Sequence, residues 1–68
     1  MTVYEKLAEL RVRALEFAAT QEDMIKEYAP GSALAIVRED WKRGYLQDTA
    51  ALTIVMDNIP IELAEREI

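Results

Sequence analysis

The chain has no cysteine and no histidine among its 68 residues. Without cysteine there is no disulfide framework, no zinc ribbon, no iron–sulfur cluster and no thiol nucleophile. Without histidine there is no imidazole for acid–base catalysis, and the commonest transition-metal ligand is missing. Glycine and proline occur only twice each, too rarely for long loops or for a topology built on many β-turns. Positive charge is in the minority. Lys+Arg is 8 against Asp+Glu 13, a net charge of −5, which argues against a surface that holds nucleic acid through its phosphates. Long apolar runs are missing too. The longest, residues 33–37 and 50–56 with Thr53 inside the second, fall far short of the roughly 20 residues a membrane span needs. The opening Met1-Thr2-Val3-Tyr4-Glu5-Lys6 lacks the basic stretch and apolar run of a secretory leader. The expectation is a cytoplasmic protein.

Hydrophobic residues make up 51% of the chain, which separates it from disordered sequences. Residues 1–68 read as one small domain. A domain of this size buries only about 60% of its unfolded surface, so its core alone is marginal. Small domains usually add a disulfide, a metal or a partner subunit. With cysteine and histidine absent, oligomerisation or very good helix packing remains.

The residue pattern is helical. Thr2 and Glu5 form a capping box, a hydroxyl and a carboxylate that can satisfy each other's backbone amides. Apolar or long residues then recur at Val3, Leu7, Leu10, Ala14, Phe17, Gln21, Met24 and Tyr28, the alternating four–three spacing of a heptad seam. Thr20-Gln21-Glu22-Asp23 resembles a second N-cap at which the helix would break or kink, but the seam keeps its phase across Thr20, so a continuous helix over 3–28 is expected. Ala29-Pro30-Gly31-Ser32 is the clearest break, and Ser32 is a good N-cap for the next helix. That second helix is expected over 33–43. Lys42 and Arg43 suit its last turn, and Gly44 suits a left-handed closing position. Asp48 then reads as the cap of a third helix over 49–57. Asn58-Ile59-Pro60 ends that segment, and Pro60 opens a fourth over 60–67. Four acid-then-base pairs lie four residues apart: Glu9–Arg13, Glu22–Lys26, Glu39–Arg43 and Glu62–Arg66. The predicted fold is all-α, a long first helix with two or three shorter ones, as a small bundle completed by oligomerisation. The competing reading is α+β, with the similar runs 33–37 and 51–55 as two short buried strands.

Few residues invite chemistry. Glu22, Asp23 and Glu27 cluster on one helix, as do Glu62 and Glu65. Carboxylate-bridged metal sites in bundles add Glu-x-x-His, which is impossible here. These acids read as solvated helix faces. The hydroxyls of Ser32 and four threonines have no histidine to activate them, and Lys6, Lys26 and Lys42 all have acidic neighbours. No cofactor, no metal and no catalytic residue is predicted. A helix-turn-helix pivoting on Gly44 fails, because no basic residue stands between Gly44 and Glu65 to approach a phosphate or a guanine.

The expected function is therefore a non-enzymatic protein–protein interaction module. It would be a small acidic regulator, adaptor or inhibitor of the kind that phages and mobile elements carry as accessory factors. A different class is a component of a gene-regulatory complex, acting through a DNA-binding partner or as an acidic mimic of nucleic acid. Direct contact with nucleic acid or membrane is not expected. The aromatics Tyr4, Phe17, Tyr28, Trp41 and Tyr45 are at the spacings of core or interface anchors. Arg38, Trp41, Lys42, Arg43 and Tyr45 combine the single tryptophan with the only basic cluster, which marks them as a candidate partner-binding surface. The acidic stretch Asp57, Glu62, Glu65 and Glu67 is a rival that would take a basic partner. For a homodimer, the candidate interface residues are Leu7, Leu10, Phe17, Met24, Leu52 and Val55.

Overall fold

The computed structural model describes all of residues 1–68. Two long helices, α1 (Val3–Ile25) and α2 (Ala33–Asn58), run antiparallel and are followed by a single turn, α3 (Ile61–Ala64). Helix accounts for 78% of the chain, and the only β feature is one isolated bridge, Thr2 with Glu67. The fold is all-α. The runs at 33–37 and 51–55 both lie within α2, so the two-strand alternative is not what the chain adopts.

Helix α1 begins as its first residues dictate. The Glu5 amide donates to Thr2 Oγ1 at 3.1 Å, and the Thr2 amide donates to Glu5 Oε1 at 2.9 Å. The helix passes through Thr20, whose hydroxyl donates to the Glu16 carbonyl one turn back and so does not compete as a cap. It stops at Ile25, three residues short of the expected Tyr28. Gly31 adopts φ +77°, the left-handed conformation that lets the chain reverse there. Ser32 Oγ accepts from the Ala35 amide at 3.3 Å and starts α2.

The expected break at Gly44 does not occur. Helix α2 continues for 26 residues and is longer than α1, so the chain has one long second helix in place of two short ones. Its contact seam explains this. Ala35, Arg38, Lys42, Tyr45, Thr49, Leu52 and Met56, all buried or half-buried, repeat at three and four residues without losing phase at Gly44. A break would have turned half of them away from α1. Asp48, the expected cap, lies inside α2 and its carboxylate accepts no amide hydrogen bond, while the Thr49 hydroxyl beside it donates to the Tyr45 carbonyl within the helix. The glycine costs about 1 kcal/mol against alanine, less than the packing of a whole helical half.

Pro60 ends α2 by holding Ile59 extended (φ −69°, ψ 133°). The expected final helix over 60–67 shrinks to Ile61–Ala64 because the last residues pair with the first ones. The Val3 amide donates to the Arg66 carbonyl at 2.8 Å, and the Ile68 amide donates to the Met1 carbonyl at 3.0 Å. Of the four expected acid–base pairs only Glu9–Arg13 forms, at 2.9 Å. Lys26 turns to Asp23 and Arg43 to Asp40, while Glu22 faces Lys42 across the hairpin. Exposed pairs of this kind differ by tenths of a kcal/mol, so spacing decides weakly between them.

Candidate functional site

The hairpin is a rod of 49 × 18 × 12 Å with little interior. Only Ala14, Ala18, Gln21, Ala35 and Met56 are buried, and no large side chain is fully enclosed. The reason lies in the α1 seam. Helix α1 meets α2 mainly through small residues, Ala14 and Ala18, with Gln21 accepting a hydrogen bond from Arg38 at 3.1 Å. Small residues let the helices approach closely but bury little area. The larger apolar residues of α1 are therefore displaced to the flank. Val3, Leu10, Phe17 and Met24 repeat every seven residues there, the period that keeps a stripe on one side of a helix.

Helix α2 answers with a stripe on the same side. Leu34, Val37, Trp41, Tyr45, Leu52 and Val55 fall within one sector of about 80° at 3.6 residues per turn. The two stripes meet where Phe17 and Tyr45 pack with ring centroids 5.3 Å apart. Between them runs an open apolar groove, walled by Leu10, Ala14 and Phe17 on α1 and by Tyr45, Leu52 and Val55 on α2. Arg13 and Asp48 are the only charged residues lining it. Phe17 is 49% exposed and Val55 48%, although each is flanked by other apolar groups. The opposite side of the hairpin mixes polar contacts with exposed Leu15 and Leu46. There Arg11 donates to Thr53 at 3.4 Å and Lys42 stands 3.9 Å from Glu22.

Total exposure is high for the mass, as a thin rod requires. A compact monomer of 7.8 kDa exposes about 4,400 Å² by the usual size scaling. This chain exposes 4942 Å², roughly 550 Å² more than that scaling allows.

Of the residues singled out for a dimer, Leu10, Phe17, Leu52 and Val55 come together in this groove. Leu7 lies half-buried in the α1–α2 seam, and Met24 continues the α1 stripe beyond the groove. The basic–aromatic set stays together only in part: Trp41 and Tyr45 share the α2 stripe with Arg38 on the Trp41 ring, while Lys42 and Arg43 turn elsewhere. Tyr45 sits in the groove on Phe17, and the Arg38 guanidinium lies 4.7 Å from the Trp41 ring centre. Lys42 points to Glu22 and Arg43 to Asp40. The acidic residues Asp57, Glu62 and Glu65 are all exposed, and Glu67 holds the Met1 ammonium at 2.9 Å. Arg13, Ala14, Asp48 and Ala51 also line the groove, and of these only Ala14 stands in the seam read from the sequence. For Asp48 and Ala51 the signal lay in the period linking Leu34 and Trp41 to Val55, which an expected break at Gly44 divided.

Every serine and threonine hydroxyl is engaged with a backbone or capping partner. Thr2 and Ser32 cap helices, and Thr20, Thr49 and Thr53 donate to carbonyls one turn back. Glu5 alone among the ionisable groups is clearly shifted. Its carboxyl is held below the ordinary value by the hydrogen bond from the Thr2 amide first, then by the Thr2 hydroxyl. No helix is long and apolar enough to cross a membrane. No family model, curated protein or solved structure matches the chain.

Proposed function

We propose that this chain is a non-enzymatic protein–protein interaction module that works as a two-fold dimer, the apolar side of each hairpin covered by a second copy. The groove between Phe17 and Val55 carries the reading, because it is a continuous apolar surface of two helices with no third element of the chain over it. Such a face resembles half of a four-helix bundle, whose core forms when two hairpins stack. The surplus exposure of roughly 550 Å² per chain approaches the roughly 800 Å² per partner of a standard stable interface. Self-complementarity is natural for a two-fold pair, since the same patch serves both sides.

Pairing of the groove sides leaves the Arg11–Thr53 and Lys42–Glu22 contacts outward, and a dimer carries twice the chain's net charge of −5. That charge disfavours nucleic-acid phosphates and suits a regulator or adaptor whose targets are proteins. Sedimentation equilibrium of the full chain with Phe17→Asp beside the natural sequence tests the reading. The natural chain should sediment at twice 7.8 kDa and the variant as a monomer. Equal, monomeric masses for both would refute it.

A further inference from the structure

We infer that the two-fold axis of this dimer runs parallel to the helices, so that α1 of each chain lies along α2 of the other with Arg13 against the partner's Asp48. The inference rests on the dimer reading above and adds its geometry. An apolar side that stacks on its own copy with helices aligned has two two-fold solutions. In one the axis lies along the helices, α1 covers the partner's α2, and every residue keeps its height. In the other the axis lies across the helices, α1 covers the partner's α1, and heights are inverted about the centre. Both make all neighbouring helices antiparallel, so helix dipoles do not choose between them.

The charges do. Arg13 and Asp48 each stand about one turn from the Phe17–Tyr45 contact, Arg13 toward the start of α1 and Asp48 toward the end of α2. Since the helices are antiparallel, those steps go the same way, and the neighbouring Arg11–Thr53 hydrogen bond fixes the register. The two charges therefore occupy one height on opposite walls of the groove, near its middle. An axis along the helices brings each Arg13 to the partner's Asp48, twice by symmetry. An axis across them at that height brings arginine to arginine and aspartate to aspartate, an arrangement that like-charge repulsion rejects.

Both groups are free to make the pair. Asp48 has no ion pair and no side-chain hydrogen bond within its own chain. Arg13 holds Glu9 at 2.9 Å through one terminal nitrogen, and a guanidinium has five N–H donors, enough for a second carboxylate. Leu10 and Phe17 then face the partner's Leu52 and the partner's Tyr45, large residues against large residues of the same groove.

A charge swap read by sedimentation equilibrium of the full chain tests the geometry, with circular dichroism to show that each variant is folded. Arg13→Glu and Asp48→Arg should each weaken the dimer at least tenfold. The double variant carrying both should return to within about threefold of the natural chain, since a tenfold change is 1.4 kcal/mol and a restored pair should leave less than half of that. A natural chain that dimerises while both single variants dimerise equally well, or while the double variant is no better than the singles, overturns the geometry and leaves the dimer standing. A natural chain that is monomeric overturns the dimer reading itself. Because the chain has no cysteine, a second measurement works even if a reversal unfolds the protein. Mixed Arg13→Cys and Asp48→Cys chains should oxidise to a covalent heterodimer. Cross-linking of Arg13→Cys chains to each other alone overturns the inference.

Discussion

Gly44→Ala separates the uninterrupted α2 from a helix that closes at Gly44, because the two predict opposite signs. In the structure Gly44 lies inside α2 with right-handed φ, and a Cβ built on it meets nothing within 4 Å. The substitution therefore removes the entropic penalty of a mid-helix glycine without a clash, which stabilises by about 0.5–1 kcal/mol. For a domain of this size that raises Tm by roughly 2–8 °C. Had Gly44 closed a helix in the left-handed region, alanine would destabilise by about 1–2 kcal/mol. Gly31→Ala is the internal control. It too has open space around it, but at φ +77° it should lose about 1–2 kcal/mol. Thermal melts at 222 nm suffice, with all three proteins at one concentration because association adds to apparent stability. A Gly44→Ala protein that melts below the natural one, in step with Gly31→Ala, would refute the continuous helix.

Thr2→Ala removes the α1 cap and should cost about 1 kcal/mol. The Glu5 carboxyl is held below its ordinary value, so its contribution is present at neutral pH and is lost as pH falls through the lowered value. Urea titrations should then show natural-chain stability dropping in the acid range below ordinary glutamate titration, and dropping less in Thr2→Ala. Gln21→Ala deprives the half-buried Arg38 of its 3.1 Å acceptor and should cost about 1–2 kcal/mol in urea unfolding. Val55→Asp should dissociate the dimer at concentrations where the natural chain is paired, while Ile36→Asp, exposed on another side of α2, should leave the mass unchanged in sedimentation.

Local punctuation carried most of the fold. The Thr2–Glu5 box, the reversal at Pro30-Gly31, the Ser32 cap and the stop before Pro60 are short-range steric and hydrogen-bonding events, and each is written in adjacent residues. Gly44 misled because glycine after two basic residues satisfies a local rule for ending helices. The tertiary seam from Ala35 to Met56, which decides the matter, is visible only when both halves of α2 are placed against α1. The shortened final helix has the same origin, since its residues Arg66–Ile68 pair with the distant Met1–Val3. Heptad spacing made Leu10 and Phe17 legible as one stripe, and Leu52 and Val55 stood out in the apolar run 50–56. The basic–aromatic cluster looked coherent in sequence because its members are nearly consecutive. On a helix, consecutive residues point about 100° apart, and Tyr45, Lys42 and Arg43 accordingly face three directions.

Sedimentation equilibrium of the unmodified chain across micromolar concentrations tests most directly whether the groove walled by Phe17 and Val55 is closed by a second copy. One species at twice the 7.8 kDa chain mass, dissociating on dilution, is the expected result. A single species at the chain mass up to the highest concentration would contradict it.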